Sequence, residues 1–315
     1  MDAGANPLTD ADELAHPPGE ERLWGESWYF DFTTRAGDLG GYVRLGLYPN
    51  VGVAWYWACL VGEGRPLVTV IDHEVPLPKA PSMEVRAEGL WADHTIETPF
   101  EHVTLGCEAF AVALDDPRDV YGDLRGERVP FGLDLEWETD RGGVYPWPGA
   151  SRYEVSSLVH GEILVGDETI AFDGVGQRDH SWGVRDWWSI GWVWTAGWLE
   201  DGTRFHTTRL RIPGLEAFAP GYVMAPGEPV TQIDVCTAEE TLDDAGFPTE
   251  ARLRCGPLDL AIEPVAFSPV HLVDDDGSGP RVARFPRALC RFRAADGRTG
   301  VGWTEWNQPA EGATG

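Results

Sequence analysis

Along most of this chain apolar and polar residues alternate with a period of two, the signature of strands with one face in a core. In "VPFGLDLEWETD" Val129, Phe131, Leu133, Leu135 and Trp137 fall on one face, with Asp134, Glu136 and Glu138 on the other. "ESWYFDF" repeats the pattern with Trp28, Phe30 and Phe32, and so do "VGVAWYWACLV" and "WSIGWVWTAGW". Hairpin turns are expected at Asp201-Gly202, Asp276-Gly277 and Asp296-Gly297, each flanked by such runs. The spacing predicts roughly sixteen to twenty strands, at one short strand plus turn per 8 to 12 residues. One helix is expected, a short one near "TAEETLDDAG".

So many antiparallel strands must hide their edges by closing into barrels or by packing face to face. The expected fold class is therefore all-β, as two tandem antiparallel β-barrels or half-barrels packed together. The Gly- and Pro-rich link "RGGVYPWPGAS" is the natural divide, giving domains at 23–148 and 149–315. Residues 1–22 carry Pro, Gly and acids without periodicity and read as a flexible arm.

Charge and composition narrow the partners. The formal net charge of −28 would repel a phosphate backbone, so no nucleic acid is expected. No window reaches the ~20 apolar residues of a membrane span, and the first residues lack a leader pattern, so a cytoplasmic protein without integral membrane association is expected. The five cysteines are scattered singly and read as buried thiols. The 15 tryptophans stand out: so many large rings suit a pocket that grips a lipophilic small molecule. A homodimer stays open.

The densest chemistry lies in "GVGQRDHSWGVRDWW", residues 174–188. If "RDHSW" is extended, Arg178, His180 and Trp182 share one face and Asp179 and Ser181 the other. On a functional reading His180 moves a proton near neutrality and Trp182 offers a π-face to substrate or to a developing cation. The alternative is a buried clamp in which Arg178, Asp179, Arg185 and Asp186 form a fixed ion-pair network. Trp188, Trp192 and Trp194 on the next strand form a plausible pocket wall, with His206 and Arg209 on the strand after it. Glu26, Tyr29 and Asp31 on the first strand are weaker candidates. Familiar signals fail: "GDLGGY" precedes no helix, "DDDGSG" lacks the ligands of a calcium loop, and the eight His show no local metal spacing. No cofactor and no metal is expected.

Taken with "ESWYFDF" near the start and "GVGWTEWNQP" near the end, this motif resembles the carotenoid 1,2-hydratase and AttH-like superfamily, closest to its bacterial two-domain branch of unknown function. The resemblance implies two lipocalin-like, calycin-type barrels with a lipophilic pocket where they meet. It also implies hydration of isoprenoid double bonds, or guided cyclisation, without redox cofactor or required metal. The hydratase His and the ring two residues later carry over onto His180 and Trp182. The carboxylate of the following strand does not, because "TRFHTTRLRI" holds no acid. Glu305, late in the chain, is the best replacement. The site expected from all this places His180, Asp179 and Glu305 in the chemistry. Trp182, Trp188, Trp192, Trp194, His206, Arg209 and Trp28 then contact a terpenoid, steroid or polyketide-like substrate. A carrier that binds such a ligand unchanged fits the same residues.

Overall fold

Period-two alternation becomes twenty strands and two short 3-10 helices among the described residues. The computed structural model describes residues 8–212, 218–275, 277 and 279–310. The first half holds β1 (Trp24–Thr33), β2 (Leu39–Tyr48), β3 (Val53–Gly62), β4 (Leu67–Val75), β5 (Val85–Ala87), β6 (Leu90–Thr98), β7 (His102–Leu114), β8 (Glu127–Pro146), β9 (Arg152–Val165) and β10 (Glu168–Val184). Neighbours pair antiparallel, β1 closes on β10, and β4 closes on β7. Eight strands thus form a ring, and the β5–β6 hairpin extends from β7, with Val85, Leu90 and Ala92 in the same core. Trp28, Phe30, Phe32, Leu45, Leu135 and Trp137 fill its interior.

The second half holds β11 (Gly191–Leu199), β12 (Arg204–Arg211), β13 (Phe218–Met224), β14 (Thr231–Leu242), β15 (Pro248–Cys255), β16 (Leu258–Phe267), β17 (Val270–Asp275), β18 (Pro280–Phe285), β19 (Arg287–Ala294) and β20 (Thr299–Pro309). β11 pairs with both β12 and β20, so this sheet also closes, with β17 and β18 attached at β20. Val193, Phe205, Leu253, Leu260, Phe292 and Trp306 form its core. The fold is the all-β pair of lipocalin-like barrels expected from the sequence.

Three expectations need correction. The divide at 148/149 falls between β8 and β9, inside the first sheet, and the chain crosses to the second sheet only between Val184 and Gly191. Proline and glycine at residues 146–149 mark a hairpin, which sequence punctuation alone cannot distinguish from a linker. The "TAEETLDDAG" segment is strand, most of it in β14, where Glu240 pairs with Ala251 across the ladder. Its polar, solvated outer face hides the alternation. Of the expected hairpin turns, Gly202 and Gly297 take φ of +86° and +96°, as tight turns demand, while Asp276 lies outside the described residues.

The glycines of the motif have a packing reason. A Cβ on Gly176 would stand 2.1 Å from the carbonyl oxygen of Asp31, and one on Gly174 2.2 Å from that of Thr33. β10 therefore crosses β1 at a separation that tolerates no side chain there.

The third correction concerns the arm. Residues 1–7 lie outside the described residues, but a 3-10 turn at Asp10–Glu13 docks on the end of the first barrel. Glu13 is fully buried and pairs with Arg178 at 2.9 Å, accepts the Phe100 N–H at 3.2 Å, and offers its backbone carbonyl to the Trp28 indole N–H at 3.1 Å. A segment that reads as loose is held by a buried charge, and periodicity cannot reveal a single anchoring residue. Removing one partner of a buried pair leaves the other charge uncompensated. Glu13→Ala should therefore lower unfolding stability by about 3 kcal/mol, measured by urea denaturation, and should open residues 8–22 to proteolysis. An unchanged midpoint would mean that Arg178 needs no partner.

Candidate functional site

The face of β10 that carries Arg178, His180 and Trp182 turns toward the first barrel and the docked arm. In the β1–β10 ladder Arg178 sits opposite Phe30 and His180 opposite Trp28, both interior residues. Asp179 sits opposite Tyr29, and this face looks at the second barrel. Alternation was read correctly, but His180 belongs to the clamp while Asp179 borders the cavity, and Trp182 at the end of the strand stacks on the arm and also reaches the cavity.

His180 has no solvent exposure. Its Nδ1 donates to the carbonyl of Asp12 at 2.8 Å, because a carbonyl can only accept. Its Nε2 lies 2.8 Å from Glu26 Oε1, and His16 Nδ1 reaches the same oxygen at 2.7 Å. The backbone N–H of His16 donates to the other Glu26 oxygen at 2.9 Å. Trp28 stacks on His180 at 4.4 Å, and Trp182 stacks on His16 at 3.9 Å with an 11° tilt. The ligating atoms of His16, Glu26 and His180 lie within 4.8 Å of one another, so this set could hold a cation. As it stands, the hydrogen bonds between its members and to the arm already occupy it.

Between the outer faces of the two barrels lies a cavity of about 390 Å³. Trp182, Trp192, Trp194, Ile190 and Leu210 supply apolar wall, and Asp179, Arg185, Asp186, Glu305, Arg287, Arg152 and Arg44 supply charge. Asp179 accepts from Arg152 at 2.9 Å. Glu305 pairs with Arg287 at 3.0 Å and accepts the Trp192 indole N–H at 3.3 Å. Burial raises the Glu305 pKa above the ordinary carboxylate range, although the Arg287 guanidinium opposes it. Arg287 itself is only 1% exposed and lies against the Tyr42 ring at 3.7 Å. Behind the wall, fully buried Glu154 accepts from Arg152 at 2.7 Å and from Gln177 at 2.9 Å.

The family model for a domain of unknown function, DUF7064, matches residues 9–310. The chain belongs to this family. Its fold is shared with a protein assigned as AttH from Nitrosomonas europaea, at TM-score 0.65 and 14% identity over 97% of each chain. It is similar also to kievitone hydratase from Nectria haematococca, at TM-score 0.58 and 11% identity over 95% of this chain and 94% of that one. CghA follows with TM-score 0.55 and 10% identity over 91% and 88%. Among curated proteins none matches the sequence. The lipocalin-like, AttH-like resemblance thus holds for the fold of this DUF7064 chain. No helix among the described residues is long and apolar enough to cross a membrane.

Of the residues singled out from sequence, Tyr29, Asp179, Trp182, Arg185, Asp186, Trp192, Trp194 and Glu305 line the cavity. The others do not. His180 and Arg178 belong to the clamp, and Trp28 is barrel interior. Trp188 is buried, donating to the Leu272 carbonyl at 3.1 Å under the Arg281 guanidinium. Arg209 pairs across from Val193 and so shares the face of the second core. His206 is fully buried behind Trp194; its Nε2 lies 3.2 Å from Glu154 Oε1 without hydrogen-bond alignment, and burial beside Arg152 keeps the ring neutral. The expected network of Arg178, Asp179, Arg185 and Asp186 does not form among its own members. Arg178 goes to Glu13, Asp179 to Arg152, and Asp186 to Arg281 at 2.9 Å. Sequence reading missed Glu13, His16, Arg44, Arg152, Glu154 and Arg287. Only lone arginines inside strand patterns, "YVRLGL" and "FPRALC", hinted at buried charge.

Glu154 yields a pH signature. Burial pushes its carboxyl up to about 7 from an ordinary 4.5, helped by the nearby Asp179 charge and opposed by Arg152. Between those values the folded chain holds more proton than the unfolded one, so this group makes stability fall as pH rises through that window. Glu154→Gln should flatten the decline in urea midpoint between pH 5 and pH 7.5. Parallel profiles for wild type and variant would remove Glu154 from the account.

Proposed function

We propose that this chain is a lyase or isomerase of the hydratase or cyclase type. It acts without a redox cofactor on a lipophilic terpenoid, steroid or polyketide-like molecule held between the barrels. One observation carries the reading: in a tryptophan-walled cavity two carboxylates, Asp179 and Glu305, face the same space, each oriented by an arginine, half-buried Arg152 and buried Arg287. The fold it shares with kievitone hydratase is consistent with it.

The chemistry follows from these groups. Burial raises the Glu305 pKa and so favours its acid form, which suits it to deliver a proton to an alkene carbon or a carbonyl oxygen. The positive charge that develops sits against the faces of Trp192 and Trp194, which stabilise it without trapping it. Asp179 then takes a proton, either from an attacking water, which gives hydration, or from a neighbouring carbon, which gives isomerisation. His180 is a positioning residue that holds the arm and β10 in place. The ion pairs also favour a second reading, a carrier, since each carboxylate already has its counter-charge.

Native mass spectrometry of the protein from its source cells would identify the bound molecule, and incubation would show whether it is converted. With that substrate, Glu305→Gln and Asp179→Asn should each lose on the order of 10²-fold or more in kcat. His180→Ala should act mainly on stability. Conversion at full rate in both carboxylate variants would overturn the mechanism, and an unchanged ligand would establish the carrier.

A further inference from the structure

Two arginines in the cavity have no carboxylate. Asp179 and Glu305 are matched by Arg152 and Arg287, and Asp186 by Arg281. That leaves Arg44 on β2 and Arg185, just past β10, with no ion-pair partner among the described residues, although both line the cavity. An unpaired buried charge costs several kcal/mol, so a chain keeps one where something binds to it.

Arg44 is the more telling of the two. It is 4% exposed, and its guanidinium carbon lies 4.5 and 5.0 Å from the ring centroids of Trp57 and Trp187, two indoles inclined at 69° to each other. One terminal nitrogen donates to the Tyr48 hydroxyl at 3.2 Å, and the other terminal nitrogen is buried with no partner. A guanidinium held against aromatic rings with an unmet N–H donor is suited to receive an oxyanion. Arg185 reinforces it: burial and the neighbouring Arg152 and Arg44 charges pull its pKa down to about 10 against the opposing charge of Asp179, so it remains cationic at neutral pH while repelled by the two arginines. An anion between them would relieve that repulsion.

We infer that the cavity takes a lipophilic small acid, its apolar body against Trp182, Trp192 and Trp194 and its oxyanion on Arg44 and Arg185. This rests on the reading of the cavity as a ligand site, and it narrows the substrate class there to molecules that carry a carboxylate or a similarly ionised oxygen. It also orients them. The acid group is anchored at the Arg44 end, and the unsaturated carbons extend toward Asp179 and Glu305.

The test compares two probes of the same shape, pyrene-1-butyrate and the neutral pyrene-1-butanol, titrated by fluorescence into the full chain. The butyrate should bind at least about tenfold more tightly, the size of effect expected when a charge-assisted hydrogen bond is gained. Arg185→Gln should erase most of that preference and leave the butanol affinity unchanged, while Arg185→Lys keeps part of it. Arg44→Gln should do the same if it folds; Arg185→Gln decides the matter if it does not. Trp192→Ala should weaken both probes alike. If Trp192→Ala weakens both but the two probes bind equally and Arg185→Gln changes neither, the oxyanion site is wrong and the ligand cavity stands. If neither probe binds, or Trp192→Ala affects neither, the cavity reading falls and the inference falls with it.

Discussion

A strand buried on both faces cannot send its polar residues to water, and β1, with all ten residues buried, is such a strand. One of its faces fills the first barrel. The other is pressed against the second barrel, where Tyr29, Tyr42 and Trp57 meet Trp194, Leu289 and Trp303 in one apolar cluster. A charge on that seam is costly unless it finds a partner, because the desolvation cost is otherwise unrecovered. The pairs Arg152 with Asp179 and Arg287 with Glu305 answer that demand. So do the hydrogen bonds that cross the seam, from Trp303 to the Phe32 carbonyl at 3.1 Å and from Tyr222 to Gln177 at 3.2 Å.

The cavity follows from the same geometry. Two convex, twisted barrel surfaces cannot touch everywhere, and where they part the seam's charges and rings are left lining a space. It is therefore walled by outer-face residues of both barrels and by the crossing segment 183–187, and not by either barrel interior. The interiors are packed by Trp28, Trp137 and Trp306, among others. A lipocalin-like fold here places its candidate site between barrels, where two independent sheets can contribute groups that neither would hold alone.

The arm completes the arrangement from the other side of β10. Glu13 and His16 reach Arg178 and Glu26, so the motif strand is gripped on the face opposite the cavity while Asp179 is gripped by Arg152 on the cavity side. Strand side chains alternate, so a change on one face of "RDHSW" is transmitted to the other only through the backbone. The His of the motif can therefore matter to the site without touching what the site binds.

Period-two alternation by itself determined the all-β class and the two faces of β10, because these depend only on which residues neighbour each other along a strand, whereas closure into full barrels was decided by the pairing of β4 with β7 and of β11 with β20. The sequence motifs also singled out Asp179, Trp182, Trp192 and Trp194, and the acid that the family resemblance leads one to expect pointed to Glu305; these do share one cavity. Alternation could not determine which face of "RDHSW" meets the cavity, since Trp28 and Tyr29 are both buried and hydrophobicity does not say which core each belongs to. Nor could it find Glu13, His16, Arg44, Arg152 or Arg287, which lie on the arm and on strands β2, β9 and β19 and converge only when the sheets close and the barrels dock. Local pattern is a property of adjacent residues, whereas the pairing of a buried charge is decided by whichever opposite charge the fold brings within about 3 Å; here those partners come from segments remote in sequence.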